Sequence, residues 1–433
     1  METYGIGLIG CGTVGSGVAR ILLEHTERLT ARTGKKLQLR RVLVRDPAKR
    51  RQVELPPGLV TTRLEDLKTD PNIQVVAELA GGVDWPRRAV LELLEAGKDI
   101  VTANKALLAE HGAELFDAGR RFGRAIAFEA SVAGGVPIIT ALTQSLAANQ
   151  ITAVQAILNG TSNFILTGMS EENLPYRDAL AEAQRLGYAE ADPTLDVDGT
   201  DAAQKLAILA QIAFGVNARL DSFERRGIAE IDSIDIQYAR ELGYTIKLLA
   251  EAWLSGRKLA LHVSPVLLRK HDPLALVRGP YNAIHLVGDV VGDTLFYGRG
   301  AGQMPTASAV VADLIDMAVG RAHNTFRSLR LWCGNGGNIE LQPSSTVRSR
   351  FYLRMFVEDR PGVLAQICTV LANYRISITS LIQHEALEDH EGDIVPLVIM
   401  THTASTADFR AAVADLADLP FLRETIAYYP VAD

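Results

Sequence analysis

YGIGLIGCGTVGSGV, residues 4–18, runs from a short apolar strand through three spaced glycines into an amphipathic helix, SGVARILLEHTERL. In Gly10-x-Gly12-x-x-Gly15 the first glycine permits a tight turn, and the second lets backbone approach a pyrophosphate. The third lets the helix lie close on the strand, with its N-terminus aimed at the phosphates. Alone the pattern is weak. Between a strand and a helix it marks dinucleotide binding by the backbone of Gly10, Gly12, Thr13, Val14 and Gly15. Alternation continues through LQLRRVLV, IQVVAELAG, WPRRAVLELLEAG, DIVTANKALLAEHGAELFDAGRRFG and AIAFEASVAGG, which predicts a doubly wound parallel sheet over about residues 1–140. The second strand ends at Arg45, followed by Asp46 and then Lys49, Arg50 and Arg51. An acidic residue there accepts from the ribose 2′-hydroxyl of NAD, whereas arginine pairs with a 2′-phosphate. The basic cluster points to NADP, and Asp46 keeps NAD open.

The second informative stretch is GYAEADPTLDVDGTDAAQK, residues 187–205, with five carboxylates (Glu190, Asp192, Asp196, Asp198, Asp201) ahead of one lysine. Gly187, Pro193 and Gly199 mark irregular backbone, and from Thr200, placed as an N-cap, TDAAQKLAILAQIAF is a strong helix former. Asp201 and Lys205 are four apart and share a helix face. Such a loop suits a small cationic substrate that needs proton transfer; a solvated acidic loop followed by an ordinary ion pair is the plainer alternative. The rest of the middle region, roughly 141–320, mixes helices with strands. PIITALTQSLAAN, PYRDALAEAQRLG and IDIQYARELGYTIKLLAEAWLSG read as helical, and ITAVQAILNG, LALHVSPVLL, NAIHLVGDVVG and DTLFYGRG as strands. Helices on one face of a mixed sheet follow.

The 433 residues exceed what one hydrophobic core usually serves, so two or three domains are expected. A net charge of −7 gives no electrostatic footprint for nucleic acid or an anionic membrane. Cys11, Cys333 and Cys368 are widely spaced and odd in number, which argues for a reducing compartment and against a disulfide framework. The first residues lack a basic leader, and no apolar run is long enough to cross a bilayer, so a cytoplasmic protein is expected. Residues 334–350, rich in Gly, Asn and Ser, read as a linker. Beyond it the order is strand, helix, strand, strand, helix, strand, the ferredoxin-like βαββαβ arrangement.

GLIGCGTVGSGV, VTANKALLA, EASVAGGVPII, ILNGTSNFIL, GYAEADPTLDVDGTDAAQKLAILA, ELGYTIKLLA and FYGRGAGQMPTASAVVADL, in this order, resemble the homoserine dehydrogenases over about residues 4–322. The tail, FVEDRPGVLAQICTVLANYRISITSLIQ, resembles an ACT domain, a small-molecule sensor module. The resemblance implies four parts: a Rossmann-like domain at 1–140, completed by a returning helix at about 303–322; an α+β catalytic and dimerisation domain at 141–322; a linker at 323–349; and an ACT domain at 350–433. It implies interconversion of L-homoserine and L-aspartate 4-semialdehyde with a nicotinamide cofactor, in threonine, methionine and isoleucine biosynthesis.

By resemblance Lys205 is the proton donor, Asp201 orients it, and Lys105 lies between cofactor and substrate. Glu190 and Asp196 receive the substrate's α-ammonium, and Gly187 allows close backbone approach. Gly302 approaches the nicotinamide ribose. A monovalent cation, sodium or potassium, is held at Glu129, Val132, Gly134 and Val136, chiefly by backbone carbonyls. Asn159 and Thr161 are further candidates, with a turn-stabilising Asn-Gly as the alternative. The resemblance also implies a homodimer or homotetramer and an amino-acid effector such as L-threonine on the ACT domain. Two other readings are a catalytically impaired amino-acid sensor and another amino-aldehyde dehydrogenase sharing the fold. The intact Lys205, Asp201, Glu190 and Lys105 weigh against the first, and the matching middle region against the second.

Overall fold

The computed structural model describes residues 2–329, 331–332, 339–384 and 393–432; Cys333 and part of the Gly/Asn-rich stretch lie outside them. The first sheet is built from β1 (Thr3–Ile9), β2 (Lys36–Leu43), β3 (Val60–Thr61), β4 (Val75–Glu78), β5 (Asp99–Thr102) and β6 (Ile126–Ala127). Its order is β3-β2-β1-β4-β5-β6 with every pairing parallel, the doubly wound order, and the direction reverses between β1 and β4. Ligands bind outside the carboxyl ends of such strands, where Gly10–Gly15, Glu78 and Lys105 stand. The helix α1 (Thr13–Glu24) follows β1 directly. Helix Gln303–Val319 returns to pack on α1, so that Val310 and Leu314 share a core with Ile6, Leu8 and Val18. Its Gln303 donates to the carbonyl of Thr13 at 3.0 Å, which brings Gly302 beside the glycine turn.

The second sheet joins β7 (Ile151–Ile157) to strands Tyr244–Ser255, Lys258–Arg269, Tyr281–Gly288 and Gly292–Arg299, all antiparallel. Helices Gly160–Glu171, Thr200–Phe214 and Ser233–Glu241 cover one face, where Val154, Ala156, Ala250 and Ala252 meet Ile165, Ile208 and Ile236. On the opposite face Trp253, Leu295 and Tyr297 are exposed. The reading of IDIQYARELGYTIKLLAEAWLSG as one helix is wrong. The helix stops at Glu241, Gly243 turns the chain at φ +86°, and Tyr244–Ser255 is a central strand. Its Leu, Ala and Glu favour helix, but partners on both sides and burial on both faces override propensity.

The C-terminal domain has strands Arg348–Glu358, Ile378–Gln383, Ile394–Thr401 and Ala427–Val431 and helices Val363–Asn373 and Thr406–Ala417. The spatial order is last, first, third, second, all antiparallel. Val431 lies parallel and opposite Leu267, so the two sheets are continuous. The expected linker is structured at both flanks. Arg321–Ser328 is helical, and Trp332 is buried with its ring centroid 4.4 Å from that of Phe116. Glu340–Leu341 pairs with Lys258–Leu259. Apolar side chains within a polar stretch account for the docking. No helix among the described residues is long and apolar enough to cross a membrane.

Candidate active site

The carboxylates of residues 187–205 sort themselves by what they accept. Asp192 Oδ1 takes the N–H and hydroxyl of Thr194, at 3.1 and 2.6 Å, and Asp198 Oδ1 takes the N–H of Thr200 at 2.8 Å. These two serve their own loop. The Asp198 contact also corrects the expected Thr200 cap, since helix Thr200–Phe214 begins after Gly199 with no side-chain cap. Asp196 and Asp201 instead turn into a shared cluster. Asn159 Nδ2 donates to Asp196 Oδ1 at 2.7 Å and to Asp201 Oδ2 at 2.9 Å. Glu190 is exposed, and its carboxylate has no ion pair among the described residues. Gly187 is also exposed at φ +75°, with open space where a Cβ would sit. Backbone conformation at the end of helix Tyr176–Arg185, rather than tight packing within the chain, therefore requires that glycine.

Lys205 is 9% exposed, and its Nζ donates to Asp201 Oδ2 and to the carbonyl of Leu158, both at 2.7 Å. An ammonium has three N–H groups, so one is left to point elsewhere. Lys105 Nζ reaches the other oxygen, Asp201 Oδ1, at 3.2 Å. Burial on its own would raise the Asp201 carboxyl; the charges of Lys205 and Lys105 and the bonds from Lys205 and Asn159 hold it below its ordinary value. Asp196 goes the other way: burial raises it and the neighbouring Asp201 charge adds to the rise, against the bond from Asn159. One carboxylate is thus fixed as an anion between two ammonium groups, with a second beside it that protonates more readily.

Lys105 opens helix Lys105–Phe122 immediately beyond β5, and Asn104 caps that helix by accepting from the N–H of Leu107 at 3.1 Å. Sequence reading passed over Asn104, although an asparagine three residues before a helical leucine is a cap signal. It also passed over Glu78, a fully buried carboxylate at the end of β4 that accepts from Thr102 Oγ1 at 2.8 Å and Ala80 N–H at 2.9 Å. Burial raises Glu78 despite these bonds. Its place at the carboxyl end of a switch-point strand was the available signal. Asn282, which donates to the Leu158 carbonyl at 2.9 Å, had none. Thr161 donates to the Tyr188 carbonyl at 2.7 Å, a contact that ties the loop down.

At the glycine turn, a Cβ on Gly15 would fall 2.2 Å from the Gly10 carbonyl, whereas the space beside Gly12 is open. Helix α1 has no side-chain cap, so its first N–H groups face the open side. Arg45 is exposed with no ion pair among the described residues, while Asp46 Oδ1 is turned to its own loop at Ala48 N–H, 2.9 Å. In the turn 129–136, both oxygens of Glu129 are occupied: Oε1 accepts from Ile139 N–H, and Oε2 from Thr140 N–H and hydroxyl. Val136 O accepts from Ile138 N–H at 2.8 Å, and Gly135 N–H donates to Arg299 O at 3.0 Å, which holds this turn against the Gly298–Gly302 turn.

A dinucleotide-binding sheet whose carboxyl edge faces a buried aspartate–lysine pair joined by a half-buried second lysine defines a nicotinamide-dependent dehydrogenase of a small polar substrate. Family models described as homoserine dehydrogenase match residues 137–315, and as its NAD-binding domain residues 10–129; an ACT domain model matches 351–421. Homoserine dehydrogenase of Bacillus subtilis is 40% identical over 100% of this chain and 99% of its own length. That of Pseudomonas aeruginosa is 42% identical over 97% and 96%. The crystal structure of the enzyme from Thiobacillus denitrificans superposes with a TM-score of 0.92 at 40% identity, covering 100% of this chain and 99% of that one. A hyperthermophilic archaeal homoserine dehydrogenase solved with NADPH covers 74% of this chain, with a TM-score of 0.61 at 26% identity. The chain belongs to the homoserine dehydrogenase family, the oxidoreductases that interconvert L-homoserine and L-aspartate 4-semialdehyde, and carries an ACT domain.

Proposed function

We propose that Lys205 is the proton donor and acceptor of this reaction, and that NADP is the preferred cofactor. The observation that carries the first point is the joint hold on Asp201 by Lys205 and Lys105 at the carboxyl edge of the sheet. When bound, the nicotinamide supplies or takes the hydride. Lys205 presents its third N–H to the substrate oxygen, stabilises the forming alkoxide by charge and passes it a proton; in oxidation it takes the hydroxyl proton back. Asp201 keeps the ammonium oriented. Asp196, steered by Asn159, receives the α-ammonium, with the exposed Glu190 closing on it from the rim. Lys105 bridges the cofactor side and the substrate side. Mixing protein, homoserine and NADP at alkaline pH should give absorbance in the reduced-nicotinamide band, and no absorbance would refute the assignment.

NADP preference rests on Arg45 standing free while Asp46 is engaged. Arg45→Ala should lower kcat/KM for NADP and leave NAD nearly unchanged, because only the former carries the 2′-phosphate. Equal losses for both cofactors would show that Arg45 does not read the 2′ position. Gly302, beside the glycine turn, would approach the nicotinamide ribose. A monovalent cation would be held by the carbonyls of Val132 and Gly134, which accept no backbone N–H among the described residues. It would stiffen the turn that abuts Gly298–Gly302. Glu129 contributes charge from behind, because its oxygens already cap the following helix.

Trp253, Leu295 and Tyr297 share the helix-free face of the middle sheet, which supports pairing of two copies there. The ACT domain is read as a threonine sensor. The turn Asp359–Gly362 opens helix Val363–Asn373, whose first N–H groups can receive a carboxylate. Leu364→Glu places a competing carboxylate at those groups. Threonine inhibition should fall in this variant while uninhibited turnover stays as in the parent; inhibition at full strength would place the effector site elsewhere.

A further inference from the structure

The ACT domain meets the catalytic body at strand Lys258–Arg269, at helix Ser233–Glu241 and at one short segment, Glu224–Ile228, that also reaches the acidic loop. Glu224 and Arg225 pair in parallel with His262 and Val263, and Arg226 N–H donates to Val263 O at 2.8 Å. Towards the ACT domain, Glu224 forms an ion pair with Arg410 of helix Thr406–Ala417. The Arg226 guanidinium lies 4.5 Å over the ring of Tyr428, and its Nη1 donates to the Tyr428 carbonyl at 3.1 Å. Tyr428 belongs to the last ACT strand, the one continuous with the catalytic sheet.

The next residues of the same segment touch the substrate loop. A Cβ on Gly227 would fall 1.9 Å from the Val197 carbonyl and 2.6 Å from Asp198 Cα, so no side chain fits there without displacing loop backbone. Ile228 N–H donates to Val197 O at 2.8 Å. Space beside Gly199 is bounded by Arg225 Cγ at 3.3 Å and Arg226 O at 3.4 Å. Val197 adjoins Asp196. Asp198, through Thr200 N–H, fixes the start of the helix that carries Asp201 and Lys205. The arginine that stacks on the ACT domain, Arg226, is therefore directly bonded in the chain to the glycine wedged under the acidic loop, Gly227.

We propose that Glu224–Ile228 is the element through which the ACT domain sets the acidic substrate loop, with Glu224 and Arg226 as positioning residues. A shift of the last ACT strand or of helix Thr406–Ala417 changes the pull on Arg226 and Glu224. Gly227 and Ile228 pass that shift to Val197–Gly199 and hence to Asp196 and Asp201. The cofactor half makes no part of this path, so the signal bears on amino-alcohol affinity. The assignment rests on reading Asp196 and Asp201 as substrate-side groups.

The test uses full-length protein with Arg226→Met, Glu224→Gln and Arg226→Lys. Arg226→Met keeps the aliphatic stem but removes the stacked charge and the donor; Arg226→Lys restores a cation and a donor. Homoserine KM should rise about three- to tenfold in Arg226→Met and Glu224→Gln, with NADP KM unchanged and kcat within about twofold, and Arg226→Lys should recover part of the change. Hydrogen exchange at the amides of residues 197–203 should speed up in the first two variants and not in α1. A variant whose homoserine KM and loop exchange both match the parent overturns the proposal. So does an equal rise in both KM values, the mark of general loosening. Loss of the substrate-side reading itself would appear separately, as an Asp196→Asn enzyme with normal homoserine KM.

Discussion

Lys205→Met is expected to lower kcat by about two orders of magnitude or more, the usual scale for loss of a general acid–base group. Methionine is chosen because it replaces most of the buried lysine stem, so packing in helix Thr200–Phe214 is largely kept. The groups that Lys205 leaves behind are not stranded. Asp201 retains Lys105 at 3.2 Å and Asn159 at 2.9 Å, and the Leu158 carbonyl retains Asn282 at 2.9 Å. Folding should therefore survive, and the loss should fall on chemistry. NADP affinity, followed by fluorescence titration, should stay within about twofold, since the role proposed for the lysine is on the substrate and not on the cofactor. Normal turnover in this variant would remove Lys205 from proton transfer and leave Lys105, the other cation on the same carboxylate, as the group to test. A large loss of cofactor affinity would instead mean that the cluster faces the nicotinamide.

Parts of this site were legible in the sequence because their geometry is local. Gly10, Gly12 and Gly15 encode a strand, a turn and a helix within a dozen residues, and Asp201–Lys205 is one helical turn. Lys105, Asn159 and Asp196 lie far from one another in sequence, and spacing could not join them; it took a parallel strand ending at Thr102 and a strand of the second sheet ending at Ile157 to bring Lys105 and Asn159 to Asp201, with Asp196 held beside it through Asn159. Family resemblance named them, but only the fold shows that Asn159 holds two acids at once. Glu78 and Asn104 escaped for a different reason. A single acid at a strand end and a single cap look like ordinary local structure until Thr102 links them. The strand Tyr244–Ser255 was misread because its residues favour helix and its pairing partners are non-local. The structured flanks of the linker were missed because Trp332 finds Phe116 and Phe128 some two hundred residues back in the chain, a contact that a composition break conceals.

Asp235→Ala should open the joint between the ACT domain and the body. Asp235 is fully buried on helix Ser233–Glu241, yet all its partners come from the ACT domain. Arg354 donates to Oδ1 from Nε at 2.7 Å and to Oδ2 from Nη2 at 3.1 Å, Tyr352 donates to Oδ1 at 3.0 Å, and Tyr429 to Oδ2 at 3.3 Å. Burial, and then the Asp235 charge, push both phenols upward, so they stay protonated and act as donors. Removing the carboxylate strands a buried guanidinium and two buried hydroxyls, a change that costs about 3–5 kcal/mol in comparable pairs. Because the chain has several domains, a single unfolding free energy is a poor measure. Protection of the amides in strand Ala427–Val431 against hydrogen exchange reads the local opening directly. It should fall by that amount, while turnover under native conditions changes little, since Asp235 lies outside the lysine cluster. A paired change, Asp235→Leu with Arg354→Met, removes both charges and should recover a large part of the loss, because the cost comes from an unpaired charge rather than from a missing attraction. Unaltered protection in Asp235→Ala would show that the pair adds nothing net to docking. A paired variant as labile as the single one would place the stabilisation in the tyrosine bonds, and Tyr429→Phe would then show it.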